Sequence, residues 1–226
     1  MQRFFDIFFS SLALILFLPL LISVAILLKL TGEGEVFFLQ ERVGQNKQLF
    51  KLFKFATMLK NSPNLGTGTV TLKNDPRVLP FGRFIRQTKI NELPQLINIF
   101  LGDMSIVGPR PQAQRCFDAF PLEYQKIITQ VKPGLSGIGS IIFRNEENIL
   151  VDHARSIHFY DQVIAPYKGE VESWYILHQK MRYYFLIILL TIWVVIKPKS
   201  NLVWKIFHDL PIPPMKLKLA LNYKKP

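Results

Sequence analysis

Residues 82–111 read GRFIRQTKINELPQLINIFLGDMSIVGPRP, and the chemistry-bearing side chains in and just before this stretch are mostly cationic. The overlapping run NDPRVLPFGRFIRQTK supplies Arg77, Arg83, Arg86 and Lys89, and GPRP supplies Arg110. Planar guanidinium forks and ammonium groups at this density suit the oxygens of phosphates. Asn91 has the character of a helix N-cap, Pro94 fits a first turn, and Leu93, Leu96, Ile97 and Phe100 follow a helical apolar stripe that Gly102 ends. A helix start presents free N–H groups and partial positive charge, which suits the Asn91–Glu92 corner to an anion or a metal-bound phosphate, with Glu92 as the carboxylate facing the metal. The plainer account is that Asn91 only caps and Glu92 only complements the helix dipole.

Elements must carry these residues to one place. Residues 36–40 and 49–54 are short, aromatic or branched, and separated by the turn-forming RVGQNKQ, a pattern that predicts a β-hairpin bearing Lys54. Residues 60–75 are rich in Gly, Asn, Ser and Thr and read as a lid-like loop. The GTGT within it lacks the Gly-Lys-Ser/Thr ending of a phosphate-cradling P-loop. Residues 117–130 are helix-like. Residues 131–140, VKPGLSGIGS, are a Gly-rich turn led by Lys132, whose N–H groups either hold a phosphate or sugar or simply connect two elements. By position, the 60–75 loop and residues 142–160 are where sugar contacts are expected.

The 226 residues are 49% hydrophobic, enough for one sizeable core with a membrane segment, and no internal repeat is evident. Against 16 Asp and Glu stand 28 Lys and Arg, a formal charge of +12 that points to anionic partners: nucleic acid, acidic lipid or phosphorylated substrates. One cysteine, Cys116, excludes an internal disulfide and a cysteine-based zinc site, and the four histidines have no metal-ligand spacing. No helix-turn-helix, zinc or RNA-recognition signature favours a membrane-tethered nucleic-acid binder.

Residues 7–28 carry no charge and match the ~20 apolar residues needed to span a bilayer core. The run exceeds the apolar core of a signal peptide, and no small-residue cleavage site follows. Pro19 sits in its middle, with Arg3 before it and Lys29 after it. A helix-break-helix hairpin dipping into one leaflet accounts for positive charge at both ends, while a simple span is the common alternative. Residues 183–196 are apolar but short for a crossing and read as buried or interfacial. Trp174, Tyr175, Trp193 and Trp204 favour a headgroup zone, and the basic tail at 215–226 would attract acidic lipid.

Taken together, the apolar segment around Pro19, FLQERVG at 38–44, FKFATM at 53–58, residues 75–96, GDMSIVGPRP at 102–111 and KPGLSGIGS at 132–140 resemble the bacterial sugar transferases that are monotopic polyprenyl-phosphate phosphoglycosyl transferases. The resemblance implies an α+β, mainly helical protein. It would have a re-entrant membrane hairpin at residues 1–30, a short β-hairpin, and a compact catalytic domain over 31–226 on the cytoplasmic face of the bacterial inner membrane. It implies transfer of a sugar 1-phosphate from a nucleoside diphosphate sugar, such as a UDP-sugar, to undecaprenyl phosphate with Mg²⁺. It leaves self-association into a homo-oligomer open.

Similar enzymes use an Asp-Glu pair in which Asp attacks phosphorus and Glu helps hold the metal. Here Asn91 stands at the Asp position and Glu92 at the second, and a neutral carboxamide is a poor nucleophile. Ala56 stands where arginine is usual. The roles that follow are Glu92 as metal ligand, Asn91 as cap and substrate contact, Arg86 and Arg110 as diphosphate donors, and Arg77, Arg83, Lys54 and Lys132 as further phosphate contacts. A catalytically silent nucleotide-sugar-binding scaffold is the alternative that Asn91 raises.

Overall fold

The computed structural model describes residues 1–66, 71, 74–146, 149–150 and 157–223. His153, the GTGT run beyond Gly66, and parts of the regions 60–75, 142–160 and 215–226 lie outside the described residues.

Helix α1, Gln2–Thr31, is long and apolar enough to cross a membrane by length and composition, and it continues through Pro19 without interruption. At 1.5 Å per residue it is roughly 45 Å long. One side is docked along its length onto the rest of the protein. Near the start, Gln2 Nε2 donates to Ser105 Oγ at 2.8 Å, and Arg3 donates to the carbonyls of Ile99 and Phe100. Asp6, buried, accepts from Ser105 Oγ, the Ile106 N–H and the Tyr184 hydroxyl at 2.9–3.0 Å. Ala13 and Leu14 pack against Leu52, Leu96, Ile99 and Met104, and Val24 and Leu28 pack against Phe55 and Ile85. Phe8, Leu12, Ile15, Leu16, Leu18 and Ile26 are exposed.

The expected hairpin is present and longer than its apolar runs. Strands β1, Phe37–Val43, and β2, Leu49–Phe55, pair antiparallel with Phe38 opposite Lys54, Gln40 opposite Leu52 and Arg42 opposite Phe50. Directly opposed residues share a face, so Lys54 and Arg42 project to the same side. Asn46 and Lys47 take left-handed φ values of 54° and 60° to close the turn.

Helix α2, Pro80–Gln87, starts on its proline and approaches Thr57 so closely that a Cβ on Gly82 would stand 2.2 Å from the Thr57 carbonyl oxygen. Lys89 then adopts φ 62°, and Ile90–Glu92 form a 3₁₀ turn ahead of α3, Gln95–Leu101, which ends at Gly102 with φ +102°. This corrects the capping role expected of Asn91. The left-handed Lys89 tightens the chain one residue early, the Glu92 and Leu93 N–H groups bond back to the Lys89 and Ile90 carbonyls, and the Asn91 side chain caps nothing. The apolar stripe shifts too: Leu96 and Ile99 are buried, while Phe100 is exposed. Asn98, fully buried on α3, clamps β2 by accepting from Phe53 N and donating to the Lys51 carbonyl.

The residues just before GPRP pair with the KPGLSG stretch, expected as a turn, in a parallel strand pair, β3 Ser105–Val107 with β4 Gly134–Ser136. Glycine allows it: a Cβ on Gly134 would meet the Gly108 nitrogen at 2.1 Å. The single helix expected over 117–130 is two, α4 Gln114–Asp118 and α5 Leu122–Ile128, because Pro121 interrupts it. Next come α6, Ile138–Ile142; a π-helical turn, Tyr160–Ile164; α7, Ala165–Leu177; α8, Met181–Ile196; α9, Leu202–Ile206; and α10, Met215–Lys218. Together with Val43 and Val107, these later elements form the largest hydrophobic cluster, built on Phe117, Ile138, Ile164, Val171, Tyr184 and Trp204 among others. On α8, Tyr184, Ile187, Leu190 and Val194 face that core, while Leu189, Ile192, Val195 and Ile196 are exposed.

Candidate active site

The 3₁₀ turn and the β3–β4 junction meet at a pair of side chains. Arg110 grips both oxygens of Glu92, Nη2 to Oε1 at 2.7 Å and Nη1 to Oε2 at 3.4 Å. This is the planar fork-to-carboxylate geometry that makes arginine selective for carboxylates and phosphates. Burial opposes ionisation of Glu92, but the charges of Arg110 and Lys54 and the hydrogen bonds from Arg110 outweigh it. The carboxyl is held well below its ordinary range, and Arg110 is correspondingly raised.

Around the pair lies a cavity of about 700 Å³, within the range of small-molecule sites. Lys54, Arg86, Lys89, Asn91, Glu92 and Arg110 line it, as do Arg42 and Arg144. Burial pushes the Lys54 ammonium well down, with Arg42 reinforcing the effect, and burial lowers the Arg42 guanidinium to about 10. Among the described lining residues the cations outnumber the carboxylates of Glu33, Glu35, Glu92 and Glu146, so the cavity favours an anion. Ile188, Ile192 and Val195 of α8 complete the wall, and the last two are also part of that helix's exposed apolar face.

Not every expected contact reaches this cavity. Arg83 is exposed on α2, and Lys132 stands with Arg3 beside Gly102, outside the lining. The Gly-rich 131–140 segment faces inward: Gly134 N donates to the Pro109 carbonyl, and Gly139 packs directly against the Glu172 carboxylate. Arg77 is turned into the base of the 60–75 loop, buried, paired with Asp75 at 2.6 Å and donating to the Ser62 and Leu65 carbonyls. With both side chains at most 6% exposed, Arg77→Met is expected to destabilise the fold by about 3 kcal/mol in urea unfolding, because it leaves the Asp75 carboxylate buried without this partner.

Lys89, one of the cations of the 82–111 stretch, lines the cavity as expected of that group, whereas Arg42 and Arg144 line it with no signal in their own short runs. Strand register carries the signal for Arg42, which shares the face of Lys54. Arg144 follows α6 and was hidden in a region known only by position. Behind the cavity, Glu172 of α7 is 1% exposed and accepts the Arg110 main-chain N–H at 2.9 Å. One turn earlier, buried Lys168 donates to Glu146 at 2.6 Å.

Burial raises the Glu172 carboxyl from 4.5 to about 7, against the lowering effects of the Arg110 and Gly139 N–H groups and the Lys168 charge. A carboxyl raised in the fold binds protons that the unfolded chain has lost, so its contribution is full below pH 4.5 and disappears as pH rises through about 7. At roughly 1.4 kcal/mol per pH unit, that interval is worth up to about 3 kcal/mol. Glu172→Gln is expected to flatten the fall in unfolding free energy between pH 4.5 and 7, measured by urea titration.

Among the described residues, no group of three or more His, Cys, Asp or Glu side chains is placed to hold a metal ion. Two oxygen sources line the cavity, the Glu92 carboxylate and Asn91 Oδ1, which is buried without a hydrogen-bond partner. Magnesium commonly takes one or two protein oxygens and fills its octahedron with water and substrate phosphates, and these residues fit that form of site.

A family model described as bacterial sugar transferase matches residues 1–198. The chain is 39% identical over 146 residues to the UDP-N-acetylgalactosamine-undecaprenyl-phosphate N-acetylgalactosaminephosphotransferase of Aeromonas hydrophila, covering 62% of this chain and 34% of that protein. It is 34% identical over 180 residues to the exopolysaccharide production protein ExoY of Rhizobium meliloti, covering 72% and 76%. To the UDP-glucose:undecaprenyl-phosphate glucose-1-phosphate transferase of Escherichia coli it is 37% identical over 166 residues, covering 70% and 35%. The chain therefore spans about a third of two of these relatives and about three quarters of the other.

Proposed function

Because the chain belongs to the bacterial sugar transferase family, we propose that it transfers a sugar 1-phosphate from a nucleoside diphosphate sugar to undecaprenyl phosphate, giving a lipid-linked diphosphosugar for glycan synthesis. The observation that carries this reading is the Glu92–Arg110 pair in a cation-lined cavity whose wall continues into the apolar face of α8. A diphosphate has partners at the floor and a polyprenyl chain has an apolar surface beside them. A UDP-sugar is the donor class, supported by relatives whose names specify UDP-sugars. The cations converge on a cavity around Glu92, which favours small phosphorylated substrates over a nucleic-acid face.

In the proposed reaction an oxygen of the acceptor phosphate attacks the β-phosphorus, and the bond from that phosphorus to the oxygen bridging to the α-phosphate breaks. The electron pair leaves with the nucleoside monophosphate. Phosphoryl transfer of this kind depends on alignment and charge neutralisation. Arg110 and Arg86 orient the diphosphate, Lys54 and Arg42 add positive potential, and Glu92 holds the Arg110 fork in place. Asn91 offers no nucleophile, so attack is direct and no covalent phosphosugar forms on the chain. Magnesium held by Glu92 and Asn91 Oδ1 would neutralise phosphate charge.

Both ends of α1 dock on the same body, and its other face is a continuous apolar surface. This supports a monotopic protein at the inner membrane, with α1 lying along the cytoplasmic leaflet as one unbroken helix rather than as the helix-break-helix hairpin expected around Pro19.

The test is release of nucleoside monophosphate from a panel of UDP-sugars in lipid nanodiscs with Mg²⁺, with and without undecaprenyl phosphate. Acceptor-dependent release by the unaltered chain is the expected result. Silence from the unaltered chain together with turnover by Asn91→Asp would instead identify a scaffold that has lost its nucleophile.

A further inference from the structure

In the triplet Pro109-Arg110-Pro111 only Arg110 has a main-chain N–H, since proline has none. That sole donor is taken by Glu172 Oε1, from a helix 62 positions further along the chain. The same carboxylate lies directly against Gly139 at the start of α6, where a Cβ would stand 2.2 Å from Oε1. Its other oxygen, Oε2, is buried without a hydrogen-bond partner. A carboxylate at 1% exposure with one oxygen unsatisfied is expensive to bury, and no general packing need requires it. What it grips is the backbone of the residue whose guanidinium grips Glu92.

We infer that Glu172 is a positioning residue: by holding the Arg110 N–H against α6 and α7 it sets the reach of the Arg110 fork toward Glu92 and toward a bound diphosphate. The carbonyls of the turn are held separately, Pro109 O by Gly134 N at 2.8 Å, Arg110 O by Gln112 Nε2 at 3.1 Å and Pro111 O by Arg42 Nη1 at 3.4 Å, so the triplet's single N–H is the main-chain group that Glu172 governs. Lys168, one helical turn away, paired with Glu146 and also in the cavity lining, presents positive charge to Glu172. Alternating charges thus run from Glu146 through Lys168, Glu172 and Arg110 to Glu92. The inference rests on the proposed reading in one respect, that Arg110 contacts a diphosphate.

Inorganic pyrophosphate is the probe, titrated calorimetrically into the full chain in nanodiscs. The variants are Glu172→Leu, Glu172→Gln, Gly139→Ala and Arg110→Ala, with Glu172→Leu and Gly139→Ala also combined with Arg110→Ala. Glu172→Leu is expected to weaken binding about tenfold and Glu172→Gln, which keeps an acceptor oxygen, to restore it to within about threefold. Gly139→Ala displaces the carboxylate without removing it and covers the case in which Glu172→Leu does not fold; it should reproduce the loss. Neither change should weaken binding further once Arg110 is alanine, because residues acting through one group are not additive. Losses that multiply in the double variants, or a Glu172→Leu or Gly139→Ala protein that folds and binds like the unaltered chain, would overturn the inference while leaving the proposed function standing. An unaltered chain that binds no pyrophosphate, or an Arg110→Ala variant that binds it equally well, removes Arg110 from the diphosphate and takes the inference down with that reading.

Discussion

Glu92→Gln is expected to lower nucleoside monophosphate release by ~10²–10³-fold, with little change in the amount of folded protein. The carboxylate is the negative charge against which the cavity's cations are arranged: Arg110 forks onto both its oxygens, and Lys54 helps hold it ionised. A carboxamide has one acceptor oxygen, so the fork loses half its grip and the guanidinium rotates toward whatever anion is nearest. Ground-state binding of the anionic donor should therefore survive or tighten while turnover falls, the signature of a group that matters most in the transition state. Steady-state rates at saturating donor, compared with donor affinity measured separately, check both halves. A loss confined to affinity would assign Glu92 to substrate binding alone.

Asn91→Asp carries the other large expected effect, in the opposite direction. Asn91 is 6% exposed, lines the cavity and leaves its Oδ1 without a hydrogen bond. An Asp side chain there enters the same field that keeps Glu92 ionised, and an ionised carboxylate can attack phosphorus where a carboxamide cannot. Turnover should rise by about 10²-fold, of the order that a positioned catalytic group contributes. The sharper readout is isotope exchange between labelled nucleoside monophosphate and the nucleotide sugar in the absence of undecaprenyl phosphate. Exchange requires a covalent phosphosugar on the protein, so the variant should show it and the unaltered chain should not. Exchange by the unaltered chain would mean that a carboxylate other than residue 91 already serves as nucleophile.

The comparison of sequence with structure divides along a physical line between local and distant partners. The hairpin bearing Lys54 is legible in its apolar runs, and only the observed register adds Arg42, because it puts both cations on one face. Glu92 and Arg110 were legible because each sits in a short run with a strong turn residue, Pro94 after one and prolines around the other. Arg77 was misread because density of charge looks the same whether an arginine points into a cavity or back at an aspartate two residues away. The Asn91 cap failed on a single backbone angle, the left-handed φ of 62° at Lys89, a conformation that lysine rarely adopts and that no propensity anticipates. The parallel β3–β4 pair was written in its glycines, but glycine marks close approach without naming what approaches. Glu172 was out of reach for a plainer reason, its partner being 62 positions away. The only hint is a pair of ionisable residues four apart, Lys168 and Glu172, in a helix otherwise buried over much of its length.

The attachment of α1 bears on how such a protein can be handled. Asp6 ties the first turns of the apolar helix to β3 through Ser105 and Ile106 and to α8 through Tyr184, and Arg3 closes the end of α3. Those are the strand and helices that hold up the Glu92–Arg110 pair. Trimming away this helix to obtain a water-soluble version would strip the hydrogen bonds that Gln2, Arg3 and Asp6 make to the rest of the fold and open the groove beneath Leu96 and Ile99. The apolar helix is a structural wall of the site, and purification strategies must keep it.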